Sequence, residues 1–356
     1  MKENTGRSEI LQRLKKSDGW VSGKSIADEL GISRNAVWKF IKKLKKYGYV
    51  VRGRRKKGYM FVSTPDKVLP AEILSVPAIQ KFIKRVYYFD GIGSTMDIAR
   101  ALAMEGKPEG CLVIAEHQTQ GRGRLNRRWV SPSGGIYFSV ILRPAMAPSD
   151  VPVLNVVASL SVARTLKKLF GLPARVKWPN DVLLSGKKIC GALIEMDAEI
   201  DSVKWVVLGI GMNVVNYEKV KKAEGGNFRF TSLEKELTAA GLSKGADFLK
   251  YIPRVEIVRH VLVEFAGLYG RVCGAGDGKD AVAGKGTSRR INRTAVRNIF
   301  KEWESFSDTL GRNVRIMMAG SSITGKAEGL TGSGALVVRT GDGRVEVSAG
   351  DCIHIR

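Results

Sequence analysis

The apolar residues between Ser22 and Leu44 repeat at helical spacing in two blocks that are separated by a three-residue turn. The first block ends at Gly31, a residue that tolerates the left-handed backbone of a helix C-terminus. Ser33 then has the side chain of an N-cap for the second block. The repeating apolar positions are Ile26, Ala27 and Leu30, followed by Val37, Phe40, Ile41 and Leu44. This spacing predicts a helix-turn-helix.

Polar and basic residues surround this apolar stripe. Two β-like segments, "YGYVV" and "GYMFV", follow the helices and enclose the basic stretch "RGRRKK", which is typical of a winged helix-turn-helix. The residues expected to contact DNA are Ser33, Arg34, Asn35, Lys39, Arg54, Arg55, Lys56 and Lys57. Basic side chains at a hairpin tip reach phosphates beside the groove and have no folding role. The alternative is a protein-docking domain, or an ancestral domain that no longer binds DNA.

The charge of the chain is uneven. Its formal net charge is +25, from 59 basic and 34 acidic residues. Residues 1–66 hold 17 basic and 6 acidic residues, so this N-terminal fifth carries +11 of the excess. A polyanion partner for this segment is the favoured explanation. The alternative is general solubility, or a hot or salty habitat, which would explain the diffuse remainder of +14.

Other compartments and cofactor classes are disfavoured. No apolar run reaches the ~18 residues that span a membrane, and the N-terminus has no apolar core of a secretory signal. The four cysteines, Cys111, Cys190, Cys273 and Cys352, lack ligand spacing, and three histidines are scattered. We therefore expect a cytoplasmic protein with reduced thiols, no membrane contact and no metal site built from protein ligands.

The order of patterns predicts three domains of α+β class. The winged helix-turn-helix covers 1–62, and the proline-containing segment 63–80 is predicted to be a linker. Strand and helix patterns alternate over 81–305, the predicted mixed-sheet catalytic domain, in which the glycine-rich and charged stretch 273–293 suggests a mobile insertion. Short alternating segments over 306–356 fit a small SH3-like β-barrel.

Two stretches suggest anion binding. "GRGRLNRR", Gly121–Arg128, places four arginines and two glycines in one loop. The guanidinium groups of such arginines can donate two hydrogen bonds each to phosphate or carboxylate oxygens. An RNA-binding or merely solvated loop would look similar.

The near P-loop match "GSSITGK" has Ala327 where a hydroxyl must bind Mg²⁺, and "GIGMNV" lacks a following helix. A P-loop and a dinucleotide site are therefore disfavoured.

The second stretch is "RVKWPNDVLL", Arg175–Leu184, which has the pattern of a buried strand broken by Pro179. Lys177 lies inside it. A lysine in such a place is costly unless it meets an anion. The alternative is a lysine at a strand end whose ammonium group reaches solvent.

These motifs resemble the biotin protein ligase family. "STM", "EHQTQGRGRLNRRWVSPSGGIYFS", "VKWPNDVLL", "KKICGALIE" and "GIGMNV" occur in the family's order and spacing. The likeness covers 7–62, 81–235 and 303–356, and "GRGR" together with "KWPND" is highly specific. With the helix-turn-helix in front, the chain resembles the bifunctional ligase/repressors of this family.

The resemblance implies a reaction. ATP with Mg²⁺ would activate biotin to biotinyl-5′-AMP, and a lysine of a biotin carboxyl carrier protein would then accept the biotinyl group. It also implies a biotin-responsive repressor that binds operator DNA and forms a homodimer when adenylate is bound. The alternatives are a biotin-sensing regulator without ligase activity, and a ligase with a vestigial DNA-binding domain. A lipoate ligase is a weaker alternative, because that related fold lacks this arginine loop in this form.

The resemblance also implies site residues. Lys177 and Arg122 would be catalytic. The biotin-binding set is Ser94, Thr95, Met96, Gln118, Arg122, Gly123, Arg124, Lys177 and Gly191. The ATP-binding set is Arg124, Arg127, Asn213 and Phe230, with Phe230 where the family stacks an aromatic ring on adenine. Met96 departs from the family, which usually has a polar Asn after Ser-Thr, so one ligand hydrogen bond is expected to be missing.

The two expected activities should separate by mutation. Replacing Arg54, Arg55, Lys56 and Lys57 with alanine should leave biotin ligation nearly intact but weaken specific and random DNA binding almost equally. Each lost phosphate contact should lower the salt slope of DNA affinity by about one unit. Asn35→Ala should instead relax sequence preference, because the leading turn of a recognition helix faces base edges. DNA titrations at several salt concentrations measure both effects. If the wild-type chain binds no duplex even with adenylate, the repressor hypothesis fails.

Overall fold

The computed structural model describes residues 2–223, 230–242, 253–274, 291–318 and 320–355. Positions 275–290, most of the expected insertion at 273–293, lie outside the described residues. Among the described helices, none combines the length and apolar character that a membrane span requires.

The N-terminal unit is a winged helix-turn-helix, as predicted. Its elements are helices α1 (Lys2–Lys15), α2 (Gly23–Leu30) and α3 (Arg34–Lys46), then strands β1 (Val50–Arg54) and β2 (Gly58–Ser63). The caps are those expected from the sequence. Ser22 Oγ accepts from Lys24 N, Gly31 adopts φ 60°, and Ser33 Oγ accepts from Ala36 N. Local side-chain-to-backbone bonds thus end each helix where the apolar repeat stops.

The segment 63–80, predicted to be a linker, contains regular structure. It contains two short helices, α4 (Pro70–Ile73) and α5 (Pro77–Phe82), each with a proline in its first turn. Leu69, Ile73 and Ile79 are buried in the cores of the two neighbouring units. The prolines begin helices here rather than marking an extended connection, because a missing N–H is harmless at a helix start.

A seven-stranded mixed sheet forms the centre of the chain, in the order β3-β4-β5-β9-β8-β7-β6. Only β3 and β4 are parallel, and the remaining neighbours are antiparallel. The strands are β3 (Arg85–Phe89), β4 (Cys111–Ala115), β5 (Ile136–Leu142), β6 (Arg175–Lys177), β7 (Asp181–Leu184), β8 (Lys187–Ala198) and β9 (Val203–Met212).

Helices cover both faces of this sheet. They are α6 (Thr95–Met104), α7 (Val153–Phe170), α8 (Tyr217–Ala223), α9 (Leu233–Ala239), α10 (Arg254–Cys273) and α11 (Arg293–Phe306). Strand β4 is buried along its whole length because Cys111 and Val113 pack with α6, whereas Leu112 and Ile114 join the core that contains α7. A strand that is buried on both faces has no polar face, which explains why "CLVIA" is a continuous apolar run.

The C-terminal unit is a five-stranded antiparallel sheet of order β13-β12-β11-β10-β14. Its strands are β10 (Asn313–Met318), β11 (Ser321–Leu330), β12 (Leu336–Thr340), β13 (Gly343–Val347) and β14 (Asp351–His354). The predicted class, α+β with a winged helix-turn-helix, a central mixed sheet and a small C-terminal β unit, is confirmed.

The stretch Arg175–Leu184, expected to be a buried strand broken by Pro179, forms two separate strands. This stretch is a hairpin of β6 and β7, in which Lys177 pairs with Asp181 across a turn formed by Trp178, Pro179 and Asn180. The Asn180 side chain fixes the turn, because its Nδ2 donates to Ala192 O at 2.5 Å. Lys177 therefore lies at a strand end and is only partly buried.

Glu72 connects the winged helix-turn-helix to the central unit. Its side chain is 1% exposed and accepts from Lys15 Nζ at 2.6 Å, Arg259 Nη2 at 2.8 Å and Tyr49 OH at 3.0 Å. Lys15 and Tyr49 belong to the N-terminal unit, whereas Arg259 lies on α10. The two cations and the phenol offset the cost of removing the Glu72 carboxylate from water. Loss of one member of such a buried cluster is strongly destabilising.

Glu72→Gln should therefore destabilise the chain by about 3 kcal/mol, because it leaves two cations facing a neutral amide. Glu105→Gln is the matched control. Its partner Lys107 lies 3.6 Å away at the surface, so its loss should cost at most about 0.5 kcal/mol. Urea denaturation measures both changes. Equal stability of the two variants would show that the Glu72 cluster does not hold the units together.

Candidate active site

A cavity of about 560 Å³ is lined by residues of the central sheet, of the loop Gly121–Arg128 and of the C-terminal unit. All of the predicted biotin and ATP residues except Ser94 line it: Thr95, Met96, Gln118, Arg122, Gly123, Arg124, Arg127, Lys177, Gly191, Asn213 and Phe230. These residues are spread over more than 130 positions of sequence, and the sheet topology brings them to one place.

One part of the cavity wall is a neutral polar network. Gln118 Oε1 accepts from Thr95 N at 2.8 Å and from Thr95 Oγ1 at 3.1 Å. Ser139 Oγ donates to Thr95 Oγ1 at 2.8 Å, and Gln118 Nε2 donates to Ser131 Oγ at 2.9 Å. Ser94 instead caps α6 by accepting from Met96 N, and it lies outside the cavity lining. Uncharged, fixed donors and acceptors suit a neutral polar ligand.

The neighbouring wall is apolar and tight. Met96 is 3% exposed and packs against Gly209, where an added Cβ would lie 2.5 Å from Met96 Sδ. At Gly191 a Cβ would meet Lys188 and Trp129 at 3.1–3.3 Å. Met96 therefore supplies a thioether surface where a polar Asn is usual in the family, and Gly191 and Gly209 allow the neighbouring side chains to approach the strands closely.

The arginine loop lies over this wall, and its arginines have different partners. Arg122 makes two ion pairs, with Asp97 Oδ1 at 2.8 Å and with Glu195 Oε1 at 2.6 Å. Arg124 Nη1 donates to the neutral Asn180 Oδ1 at 3.1 Å, and burial lowers the pKa of its guanidinium. Arg127 forms an ion pair with Asp351 of β14, so the loop also contacts the C-terminal sheet.

Lys177 differs from the other cavity cations. Among the residues that the structure describes, its ammonium group has no hydrogen-bond or ion-pair partner. It nevertheless lines the cavity at the end of β6. An unpaired, partly buried ammonium group is an electrostatic cost that a bound anion would remove.

Two further groups were not singled out from the sequence as ligands. Lys188 Nζ lies 2.7 Å from Asp181 Oδ1 and 5.1 Å from the centre of the Trp129 ring. Trp129 Nε1 is buried and has no acceptor among the described residues. Lys188 lies on β8, directly after the strand that contains Asp181, and this order could have indicated the pair, whereas nothing in the sequence marks Trp129 Nε1 as unpaired.

The other end of the cavity has aromatic and amide groups. Phe230 is 7% exposed, and its ring centre lies 5.5 Å from that of Tyr217. Asn213 is buried, with Nδ2 donating to Thr231 O at 3.2 Å. Aromatic faces beside amide groups suit a planar heterocycle.

The C-terminal unit contributes Asp308, Asp351, Cys352, Ile353 and His354 to the lining, which sequence patterns did not indicate. Burial, assisted by the positive charge of Lys177, lowers the pKa of His354 from 6.5 to about 4. Its Nε2 lies 3.3 Å from Thr309 Oγ1, and its Nδ1 lies 3.5 Å from Asp308 Oδ2. The imidazole is therefore neutral at neutral pH.

The cavity is positively charged overall. Six cationic side chains, Arg122, Arg124, Arg127, Arg128, Lys177 and Lys188, face three lining carboxylates, Asp181, Asp308 and Asp351. A low-dielectric cavity with excess positive charge concentrates anions and stabilises negative charge that develops during a reaction. Among the described residues, no group of three or more His, Cys, Asp or Glu side chains could hold a metal ion.

The residues expected to contact DNA lie at the surface of the winged helix-turn-helix. Arg34, Asn35 and Lys39 are exposed on α3, as is its N-cap Ser33, and the four basic residues of the hairpin tip are exposed as well. Trp38 is also 51% exposed on α3, with Lys42 Nζ 5.4 Å from its ring centre. The sequence interpretation missed Trp38, although it lies between Asn35 and Lys39 on the polar side.

Three family models match the chain. The Biotin/lipoate A/B protein ligase family matches residues 88–213, an HTH domain matches 7–60, and the Biotin protein ligase C terminal domain matches 309–355. Their order is that of the three units in the structure.

Full-length relatives agree with these matches. The Bifunctional ligase/repressor BirA of Bacillus subtilis is 33% identical over 352 residues, which is 98% of each chain. The Escherichia coli protein of the same name is 33% identical over 217 residues, 60% of this chain and 65% of that protein. The solved structure of biotin protein ligase from Aquifex aeolicus in complex with biotin and ATP has a TM-score of 0.58 at 27% identity, covering 77% of this chain and 100% of that one.

The depressed pKa of His354 predicts a pH dependence of stability. Between pH 4 and 6.5 the unfolded chain binds a proton at this histidine that the folded chain does not, so stability should fall as the pH drops through this window. His354→Gln cannot titrate and should lose less stability than the wild type between pH 6.5 and 4. Urea denaturation at several pH values measures the difference. Parallel stability curves for the two proteins would contradict a neutral, buried His354.

Proposed function

Because the chain belongs to the family of bifunctional biotin ligases and repressors, we propose that it activates biotin with ATP and transfers the biotinyl group to a protein. The products of the first step are biotinyl-5′-AMP and pyrophosphate. The acceptor in the second step is a lysine of a biotin carboxyl carrier protein. The unpaired Lys177 in a cationic cavity is the observation that carries this proposal.

The walls of the cavity match the two parts of biotin. The ureido ring is neutral and polar, and the network of Thr95 and Gln118 offers it fixed hydrogen-bonding groups. The sulfur ring and the valeryl chain are apolar and suit the surface around Met96, Gly191 and Gly209. This surface offers no replacement for the hydrogen bond of the family's usual Asn, so affinity for biotin depends more on Thr95 and Gln118.

Adenylate formation brings two anions together. A carboxylate oxygen of biotin attacks the α-phosphorus of ATP, the P–O bond to the β-phosphate breaks, and pyrophosphate leaves. In a low-dielectric cavity this approach is costly unless cations are already in place. Lys177 and Arg124 have no carboxylate partner among the described residues, so both are available to the reacting oxygens.

Arg122 and Arg127 have a different starting position. Each is paired with a carboxylate, and those pairs tie the loop to α6, β8 and β14. We propose that both arginines exchange these partners for biotin and phosphate oxygens as the loop closes over the ligands, with Gly123 allowing close approach of the backbone. Mg²⁺ would enter with ATP, bound mainly by phosphate oxygens and water.

The adenine ring is proposed to lie beside Phe230, with Trp129 Nε1 as a free donor nearby and Asn213 toward the phosphates. In the transfer step, the acceptor amine attacks the acyl carbon of the mixed anhydride. The bond from that carbon to the phosphate oxygen breaks, AMP leaves, and the amine loses a proton. Lys177 would stabilise the negative charge on the departing phosphate.

A second function is supported by the N-terminal unit. Its exposed cations on α3 and at the hairpin tip form the surface that a helix-turn-helix presents to DNA. We propose a biotin-responsive repressor that binds operator DNA as a homodimer when adenylate is bound. A regulator that only senses biotin would not need Lys177 unpaired beside several further cations, which favours the ligase.

Lys177→Met should lower biotin-dependent ATP–pyrophosphate exchange about a hundredfold or more, because loss of one preorganised electrostatic group costs ~3 kcal/mol of barrier. Lys187→Met is the matched control, since Lys187 is exposed at the start of the neighbouring strand β8 and lies outside the cavity lining. It should retain normal exchange. A folded Lys177→Met variant with near-normal exchange would remove Lys177 from the mechanism, and a wild-type chain without exchange would favour the biotin sensor.

A further inference from the structure

The backbone on both sides of Lys177 is held by the segment that leads into the C-terminal sheet. Asp308 N donates to Val176 O at 2.8 Å, and Trp178 N donates to Thr309 Oγ1 at 3.0 Å. These bonds lie at the residues directly before and after Lys177. They therefore fix the peptide units from which its side chain projects.

Further bonds extend this attachment along the hairpin. Trp178 Nε1 donates to Gly334 O at 3.1 Å. The Arg175 guanidinium donates to Ser305 O at 3.0 Å and to Ser307 O at 2.7 Å. The residues on both sides of Lys177 thus form hydrogen bonds with residues more than 125 positions later in the sequence.

His354 completes the arrangement. Thr309 Oγ1 accepts from Trp178 N, so its own proton is free to be donated to His354 Nε2, 3.3 Å away. A neutral imidazole with its proton on Nδ1 also faces Asp308 Oδ2 at 3.5 Å. The low pKa of His354, caused by burial and the charge of Lys177, keeps it in this neutral form. Three hydrogen bonds, the 3.5 Å contact between His354 and Asp308, and the chain itself together close a ring through Val176, Asp308, His354, Thr309 and Trp178.

The ring is shielded from water at its centre. Val176 and Thr309 are 0% exposed, and Trp178 is 2% exposed. A buried backbone N–H that loses its acceptor finds no water in exchange, so the turn cannot relax cheaply to another position. Placement matters at this point, because displacement of a catalytic group by about 1 Å can cost a hundredfold in rate.

We propose that Thr309 and His354 are positioning residues that hold Lys177 in the geometry required for adenylate formation. Neither residue needs to touch a reacting atom. The C-terminal unit then contributes to the reaction through the backbone of the Lys177 turn. This inference rests on the proposed ligase function.

Thr309→Val tests the proposal, because valine has nearly the same shape but cannot accept from Trp178 N. The kcat of biotin-dependent pyrophosphate exchange should fall about tenfold to a hundredfold. The KM for biotin should change less than about threefold, because Thr95 and Gln118 lie on other elements. Thr309→Ser retains the hydroxyl and should restore exchange to within about threefold of wild type.

Thr340→Val controls for loss of a threonine hydroxyl in the same unit, since Thr340 Oγ1 bonds only within its own surface turn, donating to Gly343 O and accepting from Asp342 N. If Thr309→Val does not fold, His354→Leu provides a milder variant. It removes the acceptor for Thr309 at a partly exposed position, and His354→Gln is its conservative counterpart. The leucine variant should lose severalfold more kcat than the glutamine variant.

A double mutant shows whether the effect passes through Lys177. When Lys177 is already methionine, adding Thr309→Val should lower exchange less than about twofold further, because the group to be positioned is gone. Fold-changes that multiply, or equal losses in Thr309→Val and Thr309→Ser, would overturn the proposal. Absence of exchange in the wild type would instead refute the proposed function, so the two failures are distinguishable.

Discussion

The site depends on the unpaired positive charge of Lys177. Every other lysine or arginine of the cavity lining contacts a carboxylate, an amide or a backbone oxygen within the described residues, whereas the Lys177 ammonium group contacts none. A charge held in this state is costly in the free protein. The cost is offset when a carboxylate or phosphate arrives, and the electrostatic stabilisation is greatest when two such anions must approach each other.

The Lys177 charge stays unpaired because the carboxylates near it are paired with other cations. Asp181, opposite Lys177 in the hairpin, is paired with Lys188 instead. Asp351 is paired with Arg127, and Asp308 with Arg312. The nearby carboxylates are thus occupied by other cations. Thr309 accepts from Trp178 N and so attaches this turn to the segment that leads into the C-terminal sheet.

Local features of this structure were accessible from the sequence, whereas long-range ones were not. Caps such as Ser33 and Gly31 act within four residues, so the helix-turn-helix followed from spacing alone. The cavity residues followed from the family resemblance, which supplied what spacing could not. The pairing of Arg122 with Glu195 and the bond from Trp178 to Thr309 join positions 73 and 131 residues apart, and no local pattern encodes such contacts. The same reason explains why the two short helices α4 and α5 were not predicted, since their burial depends on two neighbouring units.

The most direct test of the central claim is the position of the Lys177 ammonium group in a complex with a non-hydrolysable analogue of biotinyl-5′-AMP. A crystal structure of that complex measures the distance from Lys177 Nζ to the oxygen that bridges the acyl and phosphoryl groups. The account predicts hydrogen-bond distance, about 3 Å, with the hairpin backbone unmoved. A Lys177 Nζ that points to solvent, with another cation at the bridging oxygen, would contradict it.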